Sequence, residues 1–388
     1  MAISMAGCQK QQDNRIEIEF WTLQLNDFSP YITQKIAYYE KTHPNIKIKW
    51  IDIPFSEGEK RTLSAVMSDD VPDVVNLNPS FASTLEAKQV LLTMNGDFEK
   101  IYVAPALNLC KNTEGKYYAL PWYLTSSVTI YNKDLLHQID FLAPPSEYYG
   151  MFDFSKKIRQ KTGHYAFMPN LAEDGKMLKI LSKQGVALDE FFTSPKTVKT
   201  YGLFRDLYQM GLIPKGSINQ THRDSLEKYM SGDVAVLEAG ANFLQTIKQN
   251  APDVYKNTGV APQMNLQDGV LDISLMNLII PVKTKHPKEA MDFALYMTND
   301  KNQLEFCKLA PVLPSTKKAL SDKFFYQDNN LIDKGRKISA TQLKQAKSSP
   351  KLYPNQKQIN EVIDYTTQLI LLNKKPIDKA LKEAQSAL

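Results

Sequence analysis

The side chains best suited to chemistry are thinly spread. The five histidines (His43, His137, His164, His222, His286) are far apart, with neither His-x-x-His nor Cys/His spacing, so no zinc site is indicated. The carboxylate pairs Asp69-Asp70 and Glu173-Asp174 read as loop residues. Glycoside cleavage needs two carboxyl groups opposed across a cleft, which adjacency in sequence does not provide. There is no Gly-x-Gly-x-x-Gly, no phosphate-binding loop and no Gly-x-Ser-x-Gly elbow. The residues therefore favour binding over catalysis, with neither metal nor cofactor. The densest candidate is the stretch Tyr117 to Asp134, which holds four Tyr, Trp122 and Pro121. Read alone, it is an aromatic strand whose rings fill a core. Alternatively, the chain passes there from one lobe to another, and Trp122 and Tyr123 overlook a cleft.

The elements that would position such a site alternate. Ile16 to Trp21 and Ile46 to Ile51 have strand patterning, and a helical stripe (Phe28, Tyr31, Ile32, Ile36, Tyr39) lies between them. This predicts a β-α-β unit with parallel neighbours. Both strands alternate apolar and polar residues, which suits a sheet edge better than a fully covered strand. Strands are also predicted at 72–77, 165–168, 234–237 and 270–282. Helices are predicted at 61–68, 151–162, 176–184, 196–210, 223–231, 243–249 and 287–298, with two more towards the C-terminus. The class is α/β.

A chain of 388 residues exceeds one comfortable core, so two lobes are expected. Net charge is +5, but Lys and Arg are dispersed among acids and form no basic run, so nucleic acid is not an expected partner. No apolar stretch reaches the roughly 18 residues that span a bilayer. Met5-Ala-Gly-Cys8 resembles a bacterial lipobox followed by a polar tether, Gln9 to Asn14. Only seven residues precede Cys8, without a charged or extended apolar region. A lipid on Cys8 would anchor the protein at the outer face of a membrane. Cys110 and Cys307 could form a disulfide or remain buried thiols.

Several segments, in order, resemble the extracellular solute-binding proteins of ABC importers, the carbohydrate-binding family that includes maltose-binding protein. They are Ile18-Glu-Phe-Trp21 with Tyr39-Glu-Lys-Thr-His-Pro-Asn-Ile-Lys-Ile48, then Ser68-Asp-Asp-Val-Pro-Asp-Val-Val75. Gly115-Lys-Tyr-Tyr-Ala-Leu-Pro121 and Ile130-Tyr-Asn-Lys-Asp-Leu135 form the most characteristic pair. Tyr229-Met-Ser-Gly-Asp-Val-Ala-Val236, Pro287-Lys-Glu-Ala-Met-Asp-Phe-Ala294 and Ile377-Asp-Lys-Ala-Leu-Lys-Glu-Ala-Gln385 follow. Departures from the family pattern fall at Glu238 to Phe243 and Ser274 to Asn277.

The resemblance implies a two-lobed periplasmic-binding-protein fold (type II) with a ligand cleft between α/β lobes. Residues 1–14 would be the lipoprotein remnant and tether, 15–121 plus 264–311 the first lobe, and 122–263 plus 312–388 the second. It further implies a non-enzymatic monomer in the periplasm or on the outer face of the membrane. That monomer would capture a sugar or sugar-like polyol by hinge closure and deliver it to an ABC permease. In α/β sheets ligands lie beyond the carboxyl ends of strands. A sugar needs aromatic platforms ringed by amides and carboxylates. Trp21, Trp122, Tyr123 and Phe243 are the expected platforms. Gln24, Asn78, Glu173, Asp174, Glu238, Asn242 and Asn277 are the expected hydrogen-bonding groups. Rival readings are a glycerol-phosphoester or polyamine binder of the same fold, a cleft glycoside hydrolase, and a sensory module.

Overall fold

The computed structural model describes residues 14–266 and 269–388. Cys8 and most of its tether lie outside the described residues. Among the described residues nine strands occur in chain order: β1 (Ile16–Leu23), β2 (Ile46–Ile53), β3 (Val74–Leu77), β4 (Ala119–Asn132), β5 (Tyr165–Phe167), β6 (Val234–Gly240), β7 (Thr258–Pro262), β8 (Ile273–Ile279) and β9 (Leu313–Pro314). The main strand order is β2-β1-β3-β8-β4-β6-β5, with β7 and β9 also pairing to β4.

The opening unit is as its pattern predicts. β1 and β2 run parallel and in register from Ile16 opposite Ile46 to Leu23 opposite Ile53. The helix Ser29–Thr42 crosses between them, burying Tyr31, Ile32 and Tyr39. β2 is an edge strand, which explains its alternation: Ile46 and Ile48 are buried while Lys49 is exposed.

β4 joins the two halves of the molecule. Its first part, Ala119 to Ser126, pairs antiparallel with β8, and its second part, Ser127 to Asn132, pairs with β6 and β7. The first lobe therefore has a mostly parallel sheet, β2-β1-β3, extended by β8 and the start of β4. The second is built on β6, β5, β7 and the end of β4. The chain passes from one to the other at Ser126–Ser127 and returns between β7 and β8.

Two apolar layers cover the first-lobe sheet. One contains Ile18, Phe20, Trp122, Phe293 and Phe306; the other contains Val75, Leu77, Ala119, Leu124, Leu275 and Ile279. In the second lobe, one layer packs Tyr148, Phe154, Leu181 and Tyr201 with the last two helices, Gln356–Leu371 and Ile377–Ser386. The other packs Val128, Ile130, Leu237 and Leu244. Beyond residue 312, where the second lobe was expected to resume, the chain packs against both lobes. Leu313, Leu320, Phe325, Ala340 and Leu343 belong to a first-lobe layer. The helix Leu331–Gln345 bridges the seam, since its Ile332 and Ile338 pack on the second lobe. Cys110 and Cys307 are buried free thiols.

Candidate functional site

In the first lobe, Gln24 follows β1 in the left-handed region (φ 53°), and its N–H donates to Ile53 O at 2.9 Å. Asp52 fixes that loop by accepting from Thr22 Oγ1 (2.6 Å), Leu25 N (2.9 Å) and Asn26 N (2.9 Å). Asn78 caps the helix Pro79–Ala87, its Oδ1 accepting from Phe81 N at 2.8 Å. Its Nδ2 reaches Glu59 Oε1 at 3.4 Å. Phe55, 53% exposed, opens the helix Phe55–Met67 at the end of β2. Gln24, Phe55 and Asn78 thus stand at the carboxyl ends of three neighbouring parallel strands.

In the second lobe, the loop after β5 carries Glu173 and Asp174. Glu173 accepts from His222 N at 2.9 Å and faces His222 Nδ1 at 3.0 Å, while the Phe243 ring lies 6.4 Å from the imidazole. Asp174 pairs with Lys179 and accepts from Asn360 Nδ2 at 2.8 Å. Gly175 N donates to Asp364 Oδ1 at 3.1 Å. Burial pushes the Asp364 carboxyl up to about 6 against that hydrogen bond, and Asp174 adds to the rise.

The deepest group centres on Glu238. Tyr148 Oη donates to its Oε2 at 2.6 Å, Lys183 Nζ lies 3.5 Å from Oε1, and Lys176 Nζ lies 3.9 Å from Oε2. Burial would raise this carboxyl, but Lys183 and Lys176, with the Tyr148 hydroxyl, hold it below the usual range. Asp272, at the return crossing, is likewise held down by Lys179, Lys176 and Lys183 against its burial. Lys183 is wholly enclosed, and burial lowers its ammonium despite Glu238.

The lysines were missed in the sequence, although their spacing was readable. Positions 176, 179 and 183 form one stripe on the helix Lys176–Ser182 and its cap, while Met177, Leu178, Ile180 and Leu181 are buried. Tyr148, Asp272, Asn360 and Asp364 carried no comparable signal.

Asp174 and Glu238 are thus linked through the lysine stripe and Glu173 through His222 to Phe243, while Gln24 and Asn78 stand at strand ends of the other lobe. Two of the expected contacts, Trp122 and Asn277, are corrected. Trp122 is fully buried, stacked on Phe306 at 5.7 Å and tilted against Phe20 at 6.1 Å. The ladder with β8 shifts between Pro121 and Tyr123, which leaves Trp122 as an extra residue turned into the core. Asn277 is also fully buried, with Nδ2 3.9 Å from Cys110 Sγ. Tyr123 is half-buried, packing edge-on against Trp122. Trp21 lies half-buried on a first-lobe layer, its Nε1 donating to Glu19 Oε1 at 2.6 Å. Asn242 lines a cavity with Thr125 and Ser126, its Oδ1 lying over Gly240.

Two α/β lobes joined by repeated chain crossings define a cleft-type binding protein. The chain belongs to the bacterial extracellular solute-binding proteins, whose family model matches residues 34–332. A solved structure from Synechococcus sp. MITs9220, designated an oligosaccharide periplasmic-binding protein, is 31% identical. It aligns over 95% of this chain and 97% of that chain with TM-score 0.87. The same Synechococcus protein has been solved with zinc. Among the described residues here, no group of three His, Cys, Asp or Glu is arranged to hold a metal ion. The multiple sugar-binding protein of Streptococcus mutans is 23% identical, over 84% of this chain and 86% of that one. The sugar-binding protein MalE of Xanthomonas citri shares the fold, with 21% identity, TM-score 0.79 and 95% of each chain aligned.

Proposed function

We propose that this protein is the substrate-binding subunit of an ABC importer, taking a neutral sugar or sugar-like polyol into the cleft. The observation that carries this reading is the group around Glu238. Its Oε1 is buried and makes no hydrogen bond among the described residues, although Lys183 neutralises its charge. A ligand hydroxyl donating there would complete the set. Exposed Phe55 and half-buried Phe243 offer apolar faces from opposite lobes. Relatives named for multiple sugars, galactooligosaccharides and arabinooligosaccharides support the same ligand class.

The mechanism is hinge closure. Ligand bridging both lobes favours the closed state by its differential affinity for that state. The closed protein then docks on the permease, acting as a monomer held at the membrane by lipid on Cys8. The sugar leaves unaltered, since binding and not bond cleavage is the task of the Glu238 group.

A thermal-shift screen of galacto-, arabino- and malto-oligosaccharides, hexitols, a glycerol phosphodiester, spermidine and zinc tests the reading. A neutral carbohydrate should raise Tm by several degrees and be recovered intact. Lys176→Met should weaken it about tenfold. Shifts confined to spermidine, the phosphodiester or zinc, or release of a cleaved sugar, would overturn the proposal.

A further inference from the structure

The sequence contains a single Asn-Gly step, Asn95–Gly96. It lies in the first lobe, between Met94, which bridges to Tyr117, and the short helix Phe98–Ile101. Asn95, Gly96 and Asp97 are exposed and belong to no helix or strand. Two buried side chains of one apolar layer, Met94 and Phe98, frame them. Met94 N donates to Tyr117 O at 2.8 Å, and the Phe98 ring stands edge-on to the Tyr117 ring at 5.1 Å. Both ends of the exposed loop are therefore held on the same residue.

Phe98 accounts for the glycine. A Cβ at position 96 would fall 2.8 Å from Phe98 Cε1 and Cζ, so the ring can pack there only against a residue without a side chain. The polar groups of the loop, in contrast, are unfastened. Among the described residues, Gly96 N has no hydrogen-bond acceptor and the Asn95 side chain makes no hydrogen bond. The two Asp-Gly steps of the chain differ. Gly175, after Asp174, donates its N–H to Asp364 Oδ1 at 3.1 Å, and Gly269, after Asp268, donates to Leu266 O at 2.8 Å. A bonded amide is held in place, whereas the free amide of Gly96 can turn towards the side chain that precedes it.

We infer that Asn95 is a self-modifying position, converted by water and hydroxide into aspartate and isoaspartate. Hydroxide takes the Gly96 N–H proton, and that nitrogen attacks Asn95 Cγ. The N–Cγ bond forms, the Cγ–Nδ2 bond breaks, and Nδ2 leaves as ammonia with a proton from water, which regenerates the hydroxide. Water then opens the five-membered imide. Cleavage of the new N–Cγ bond gives aspartate on the ordinary backbone. Cleavage at the main-chain carbonyl leaves the chain running through Cγ, as isoaspartate. Nothing is oxidised or reduced. The isoaspartate backbone is longer by one carbon–carbon bond, about 1.5 Å. With Met94 and Phe98 both held on Tyr117, the added length draws Phe98 from its close-packed layer and weakens the first lobe.

The test ages the full-length protein in mildly alkaline buffer at body temperature, beside wild type unfolded in urea and the folded variants Asn95→Gln and Asn95→Asp. Peptide mapping by mass spectrometry and enzymatic methylation of isoaspartate locate the change. In folded wild type the Asn95 peptide should gain one mass unit, with isoaspartate the larger product. Asn95→Gln should change at least tenfold more slowly. The isoaspartate form, separated by anion exchange, should melt a few degrees below unconverted protein. Asn95→Asp adds the same charge on an ordinary backbone and should melt with wild type. An Asn95 that stays intact in the folded chain while it converts in urea overturns the inference. So does an isoaspartate form that melts with unconverted protein, or an Asn95→Asp protein that melts as low as that form, which assigns the loss to charge.

Discussion

Lys183 Nζ sits 3.5 Å from Glu238 Oε1, and the same ammonium donates to Tyr148 Oη at 3.1 Å. A lysine 1% exposed is expensive to bury and persists only with a paired carboxylate. Lys183→Met should therefore cost about 3–5 kcal/mol in urea unfolding, because it strands Glu238 without its cation. Lys183→Met with Glu238→Gln should lose much less than the sum of the single changes. The pH dependence has a definite sign. The Glu238 carboxyl is held down in the folded protein, so its contribution is present above the ordinary carboxyl range. That contribution disappears as pH falls through the lowered folded value. Glu238→Gln should flatten that part of the acid limb. Wild-type stability in Lys183→Met would refute the pairing.

Trp122 gives a second prediction, opposite to the sequence expectation. Its indole fills the layer between Phe20 and Phe306. Trp122→Ala should cost about 3–5 kcal/mol through cavity formation, and Trp122→Phe considerably less. The measurement is equilibrium unfolding with and without the cleft ligand. A Trp122→Ala protein of unchanged stability that fails to bind sugar would restore the platform reading and discard the core assignment.

That reversal shows where sequence reasoning stopped. The β1-helix-β2 unit was readable because alternation, a helical stripe and the break at His43 to Asn45 all agree with the register observed. The exits carrying Gln24, Asn78 and Glu173 followed, since a strand end is easier to locate than a side chain's direction, whereas Glu238, expected in an exit loop, lies inside β6 opposite Thr129. Trp122 failed because both faces of the first-lobe part of β4 are covered by apolar layers, so an aromatic there is core on either side and its type does not set it apart from a platform. Asn277 failed differently: an asparagine buried in a central strand looks like any other asparagine in the sequence. The helix Leu331–Gln345 was missed because it serves two lobes. Its apolar positions are divided between two surfaces and give no single stripe.

Gly175 links the Asp174 loop to the helix Gln356–Leu371. It has φ 64°, and a Cβ there would fall on Asn360 Oδ1. Gly163 has φ 74° with open space around it, so it supplies the backbone term alone. Gly163→Ala should cost about 1–2 kcal/mol. Gly175→Ala should cost at least about 1 kcal/mol more, since Asn360 must leave its bond to Asp174. Chemical denaturation of the two variants side by side measures the difference. Equal losses would mean that the Asn360 contact has no energetic weight.

Asp364 supplies the last prediction. Burial raises its folded carboxyl to about 6, above the roughly 3.9 of an unfolded aspartate. The folded protein therefore binds the proton more tightly. Its favourable contribution is complete below the unfolded value and is lost as pH rises through about 6. Asp364→Asn keeps a side-chain oxygen for Gly175 N but carries no charge, so it should gain stability over wild type as pH rises from about 4 to 7. With the screening of a partly exposed group included, the gain should reach about 1 kcal/mol at neutral pH. Melting temperatures of both proteins at half-unit pH steps test this. A constant difference across the range would show that Asp364 titrates alike in the folded and unfolded chains.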